Sequence, residues 1–276
     1  MRFSASEFAP SVLLDAAANY SQASEVEQAA RIYRKLVQEY GGEAAAQSAR
    51  YRLAELAVAQ GETVLAMRRL RQITEADPPA ALAPSALLFA GRLHLFLGDL
   101  EAAEAVFSQL STRFPQSAQA DSAALQRATY LLERRFFSAA AAAFAAAGKE
   151  LEDVHLRREA RLGEADAQRL AGKPELAIPQ YLELLGDDAG YASEIERSAH
   201  LGLAISQGET GALSSAVGRF HALMEAAPQS TAASESRREL GVLYRHQGNL
   251  HRAAVWYQRY LEHTVTSPDR DRVRLD

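Results

Sequence analysis

The sequence has no cysteine. This excludes disulfides, thiolate metal sites and a cysteine nucleophile, and it suits an oxidising or a reducing compartment equally. No apolar run approaches the roughly 20 residues that cross a bilayer. Met1–Pro10 lacks a basic-then-apolar leader pattern, so the expectation is either a cytosolic protein or a mature or excised piece. Lysine is scarce: Lys35, Lys149 and Lys173 stand against 27 arginines. A GC-rich genome accounts for that bias, and a carboxylate-binding arginine face is the sharper alternative. Charge of one sign is also lacking. Residues 1–138 carry 14 basic and 15 acidic side chains, residues 139–276 carry 16 and 20, and the formal net charge is −5. Such a balance indicates neither nucleic acid nor an anionic membrane as partner.

Catalytic motifs are missing as well. Gly172-Lys173-Pro174 lacks the upstream Gly and downstream Ser or Thr of a phosphate loop, and no Gly-x-Ser-x-Gly elbow occurs. His94, His155, His200, His221, His246, His251 and His263 form no His-Glu-x-x-His pair. His246, His251 and His263 lie around the last turn, where a metal site is one reading and solvated polar positions the other. Glu183, Asp187 and Asp188 divide in the same way, between a cation site and a solvated loop. The expectation is a protein with no catalytic residue, no cofactor and no resident metal.

What is present is a helical repeat. Hydrophobic residues make up 48% of the chain. Alanine dominates that fraction, which favours helices whose axes approach closely. One unit runs Ala86-Leu87-Leu88-Phe89-Ala90-Gly91-Arg92, then Leu97-Gly98-Asp99-Leu100-Glu101-Ala102-Ala103, then Phe107, Leu110 and Pro115. Its marks return near residues 10, 47, 84, 121, 158, 195 and 234, five times at a step of 37 and once at 39, where Gly208-Glu209-Thr210-Gly211 adds two residues. Each unit reads as helix, tight turn, helix, with Gly61, Gly98, Gly172 or Gly248 in the turn; Arg135 occupies that place in the fourth unit. Small residues mark where the paired helices meet: Ala17, Ala54, Gly91, Ala128, Ala165, Gly202 and Gly241 in the first helix, with Ala29, Ala66, Ala103, Ala140, Ala177, Ala216 and Ala253 in the second. Tyr33, Leu70, Phe107, Phe144, Tyr181, Phe220 and Tyr257 follow one turn later, so ring and gap are expected to interlock within each pair. Ser138–Ala147 reads as a slim, closely packed helix, with a hinge as the alternative.

The small–aromatic–small spacing, the turn Gly and the closing Pro resemble the tetratricopeptide repeat, over about residues 10–267. The resemblance implies an all-α, right-handed solenoid of about seven repeats, forming a single domain over 1–276, with the first helices lining its concave side. Phe114-Pro115-Gln116-Ser117 and Ala227-Pro228-Gln229-Ser230 resemble junctions of the subtype common in bacterial cell-envelope proteins, which points to periplasm or outer membrane. Ser267-Pro268-Asp269 reads as the start of a capping helix over 268–276, cut short, with Trp256, Tyr260 and Leu261 left without full cover. A longer natural chain, or packing of this end on another chain, would supply that cover.

The resemblance also implies function: a protein or peptide held in the concave groove. The groove faces are expected to carry Tyr51, Arg52 and Glu55, then Leu88, Phe89, Arg92 and Phe96, then Leu125 and Thr129. Aromatic, aliphatic and Arg side chains together are the composition of binding hot spots. For some of them, Phe89 and Leu95 especially, the alternative place is the core between helices. The family's best-known mode clamps the C-terminal carboxylate of heat-shock chaperones with Lys and Asn. Here only Asn19 and Asn249 occur, and the three lysines miss the groove positions; an Arg52–Arg92 version stays open. A structural spacer, contacting partners through its ends or convex face, is the other reading.

Overall fold

The computed structural model describes residues 9–76, 80–186 and 190–265. Asp187, Asp188 and the expected capping helix over 268–276 lie outside them. Among the described residues there are fourteen helices and no strand. They are α1 (Ala9–Gln22), α2 (Val26–Glu39), α3 (Ala44–Ala59), α4 (Thr63–Thr74), α5 (Ala83–Phe96), α6 (Leu100–Arg113) and α7 (Ala118–Glu133), then α8 (Phe137–Glu150), α9 (Val154–Leu170), α10 (Pro174–Leu185), α11 (Glu194–Glu209), α12 (Leu213–Ala226), α13 (Thr231–His246) and α14 (Leu250–Val265).

The chain divides into two compact units, residues 1–126 and 127–276. In the first, α1 to α6 pack in chain order, each on the next, and α1 also touches α3. In the second, α8 to α14 do the same, with α9 on α11 and α11 on α13. Contacts between alternate helices make the first helices of successive pairs one layer. Burial follows this order. Ala17, Ala29, Tyr33, Leu36 and Ala49 form one cluster drawn from α1, α2 and α3. A pair therefore completes its core on the next pair, which makes stability a sum of unit and nearest-neighbour terms.

The turns are alike because each ends a helix in the same way. In all seven, the amide following a left-handed residue donates to the carbonyl five residues back, as in Asp99 to His94, Phe136 to Leu131 and Asn249 to Tyr244. This closure satisfies carbonyls that the helix end leaves open. Glycine adopts the required conformation at little cost. Arg135 and Ser24 adopt it too, with φ of 64° and 62°. Packing of the two helices thus imposes the turn even where the residue disfavours it.

Arginine has a structural use here. Arg50 donates to the Gly41 carbonyl at 2.9 Å, Arg113 to the Thr74 carbonyl at 3.0 Å, and Arg157 to the Leu151 carbonyl at 3.1 Å. Arg197 donates to the carbonyls of Tyr191 and Ala192. Each guanidinium closes a carbonyl at a helix end or junction, where cations also match the helix dipole. The Pro-Gln-Ser junctions have a local cause as well. Ser117 and Ser230 cap α7 and α13, accepting from the amides of Ala120 at 3.2 Å and Ala233 at 3.1 Å.

The rings pack on their own pair and on the following one, as Tyr33 does in the cluster that joins Ala17 and Ala49. Phe107 lies on Gly91 and Tyr257 on Gly241, as the spacing predicts. Phe144 and Tyr181 lie on Gly163 and Gly202, in the first helix of the following pair, and Tyr181 shares a cluster with Ala165 of its own pair. The Tyr181 hydroxyl donates to Asp166 Oδ1 at 2.6 Å. Burial raises the Asp166 carboxyl above its ordinary range, against the opposing pull of that hydroxyl and of Arg169.

Candidate functional site

A groove of 410 Å³ opens in the first unit, on the layer made by the first helices of successive pairs. Tyr51, Glu55 and Val58 of α3 form one side, Leu88, Phe89, Arg92 and Phe96 of α5 the other, and Gln119 of α7 closes an end. Helical spacing puts these side chains in rows. Tyr51, Glu55 and Val58 are three or four residues apart, as are Ser85, Leu88, Arg92 and Phe96, and Phe89 stands four after Ser85 and three before Arg92. The Gln119 side-chain amide donates to Ser85 Oγ at 3.2 Å, which fixes the end of the groove.

The floor is aromatic and part of the core. The Tyr51 and Phe89 rings stand 5.7 Å apart, tilted by 49°, and both pack on the cluster of Ala54, Leu70, Ala86 and Leu93. Leu88 packs on the neighbouring cluster around Phe107. Leu95, the other residue that could turn inward, does so there too. The rim is open, and Phe96 is 84% exposed. Arg92 is exposed and makes no hydrogen bond or ion pair among the described residues. Glu55 is already matched, because Arg52 holds it at 2.8 Å. Burial raises the Tyr51 phenol, and Glu55 adds to that, while Arg52 and Arg92 oppose it. The hydroxyl is therefore a neutral hydrogen-bonding group at physiological pH. The groove combines an aromatic floor, an unmatched cation and an exposed ring, a surface that can take an apolar side chain and an anionic one together.

Six of the nine expected residues line the groove: Tyr51, Glu55, Leu88, Phe89, Arg92 and Phe96. Arg52 stands beside it and orients Glu55. Leu125 is 7% exposed and belongs to the core. Thr129 is exposed but falls in the second unit. Gln119 was not expected; it stands in the first turn of α7 and reaches the groove through its hydrogen bond to Ser85. Among the described residues no group of three His, Cys, Asp or Glu could hold a metal ion, so His246, His251 and His263 do not form such a site. No described helix is long and apolar enough to cross a membrane.

The family model described as Tetratricopeptide repeat matches residues 51–118 and 201–269. It is the general repeat, without the cell-envelope subtype. No curated protein matches the chain in sequence. Among solved structures, the C-terminal part of a TPR repeat-containing protein from Cytophaga hutchinsonii is similar over 92% of this chain and 96% of its own, with 13% identity and a TM-score of 0.66. The apo form of RapI is similar over 94% and 77%, with 13% identity and a TM-score of 0.65. A tetratricopeptide repeat protein from Parabacteroides merdae follows at 95% and 94%, with 15% identity and a TM-score of 0.55. At such identities these likenesses speak for the fold: an all-helical solenoid of the same kind. The repeat model on both stretches, and the same turn in every pair, show that the chain belongs to the tetratricopeptide repeat family.

Proposed function

We propose that this chain is an interaction scaffold that holds a segment of a partner protein in the groove between α3 and α5. Proteins of its family mediate protein–protein interactions, and the family fold is generally a non-catalytic scaffold. The observation that carries the reading is the pairing of an 84% exposed Phe96 with an unmatched Arg92 over the Tyr51–Phe89 floor. Covering a side chain such as Phe96 is worth about 1.5–3 kcal/mol. Arg92 adds a charge-assisted hydrogen bond to a carboxylate. The occupant is therefore a segment bearing an apolar side chain next to an acidic one. Arg52 is left to Glu55, so Arg92 alone carries the electrostatic part.

The test is capture of partners from a lysate of the source organism, identified by mass spectrometry, by the parent and by the Arg92→Glu, Phe96→Glu double variant. Both positions are exposed, so the fold is expected to persist and is checked by circular dichroism. A protein held by the parent and lost by the variant supports the groove. Equal capture by both overturns it, and would move attention to surfaces such as the exposed Val255 and Leu261 of α14.

A further inference from the structure

We infer that the second unit carries an interaction surface of its own, a pocket that takes the long cationic side chain of a basic partner segment. This goes beyond the groove of the first unit and does not depend on it. The pocket has a volume of 390 Å³ and lies among α11, α12 and α13. Ile205, Phe220, Val242 and Leu243 make its walls apolar, and Glu209 and Glu239 place two carboxylates on them. Gly208 brings the α11 backbone close to Leu243, since a Cβ there would stand 3.1 Å from Leu243 Cδ1.

The charges around the pocket are not balanced. Arg238 is engaged twice, by Glu235 at 2.8 Å and by Glu239 at 2.5 Å. Arg169 stands 3.9 Å from Asp166. Glu209 has no hydrogen bond or ion pair among the described residues, and it is exposed. Burial raises its carboxyl, Arg169 opposes this, and the nearby Glu239 and Glu175 add to it. His246 at the pocket edge completes the titratable lining. An apolar wall beside an unmatched carboxylate fits an arginine or lysine side chain. The alkyl stem lies along Ile205 and Val242 and the charged head reaches Glu209, with Glu239, already held by Arg238, adding its charge nearby. An acidic or purely apolar segment would leave Glu209 unmatched or repelled. This pocket and the first-unit groove thus ask for partners of opposite charge.

The probe is a blocked pentapeptide, acetyl-Ala-Leu-Arg-Leu-Ala-amide, titrated to millimolar concentration into the full chain while amide resonances are followed by NMR. Its control carries citrulline, which keeps the shape and removes the charge. Saturable shifts at Gly208 and Val242, at least about tenfold weaker with citrulline, support the pocket; a tenfold ratio corresponds to about 1.4 kcal/mol. The Glu209→Gln, Glu239→Gln variant should weaken arginine-peptide binding by a similar factor. Equal binding of the citrulline peptide, parent-like binding by the variant, or no saturable shift overturns the inference. The peptide comparison runs on the unaltered protein, so it decides even if the variant folds poorly.

Discussion

Replacing Gly202 by Ala should destabilise the second unit, although alanine is the better helix former. An exposed Gly→Ala change inside a helix gains about 0.5–1 kcal/mol. Gly218 in α12 offers the control, since a Cβ there meets nothing within 4 Å. At Gly202 the Cβ would stand 2.5 Å from the Tyr181 hydroxyl oxygen and 2.7 Å from the ring carbon Cε1. That ring cannot retreat: it is 0% exposed, and its hydroxyl is held by Asp166 at 2.6 Å. Overpacking of this kind costs about 1–3 kcal/mol. With the ring fixed the cost sits high in that range, leaving a net loss of about 1–2 kcal/mol after the propensity gain. The assay is urea unfolding followed by fluorescence of Trp256. This sole tryptophan lies in the same unit, with its ring centroid 5.4 Å from that of His221. Gly218→Ala should raise the midpoint and Gly202→Ala lower it. In a Tyr181→Leu background the Gly202→Ala penalty should shrink by about 1 kcal/mol or more, the coupling expected of residues in contact. If Gly202→Ala raises the midpoint as Gly218→Ala does, the close packing between α10 and α11 is refuted.

Arg135→Gly should stabilise the chain by about 0.5–1 kcal/mol, because a left-handed conformation costs an L-residue about 1–2 kcal/mol and glycine returns part of that as unfolded-chain entropy; an unchanged or lower unfolding midpoint would count against the turn geometry. Mild acid should stabilise the second unit. Burial raises the carboxyls of Asp166, Glu209 and Glu239, each in the face of opposing arginine charge. A carboxyl that titrates higher in the fold binds its proton more tightly there, so stability rises as pH falls through the folded value and is fully gained below the unfolded one, about pH 4. The Glu196 carboxyl is lowered, chiefly by the backbone amide of Ser193, and its contribution is lost only below that range. The urea midpoint should therefore be higher near pH 5 than near pH 7, and Glu239→Gln should flatten the rise; a steady fall from neutrality refutes the assignment.

Much of the candidate groove was legible before the structure. Tyr51, Glu55, Leu88, Phe89, Arg92 and Phe96 recur at helical spacing in two successive units, and periodicity alone puts them on one side of α3 and α5. Leu125 was misplaced for the same reason. It shares that spacing, yet α7 turns it into the core, and a spacing of three or four residues does not say which of two adjoining faces is wet. Gln119 escaped notice because its place at the groove end depends on how α7 meets Ser85.

The sequence by itself determined the helices, the turns between them and the period of 37 residues. These are local matters, set by residues within a few turns of one another. The tertiary structure alone decided that the rings also reach the following pair. Phe107 packs on Gly91 of its own pair and in one cluster with Ala123 of the next, and Tyr181 on Gly202 of the next pair and in one cluster with Ala165 of its own. It alone drove Arg135 into a left-handed turn, left Arg92 unmatched while Arg52 took Glu55, and assembled the apolar, carboxylate-bearing pocket of the second unit. All of these depend on the register between helices, and register is settled by the joint packing of both surfaces, which no single segment encodes.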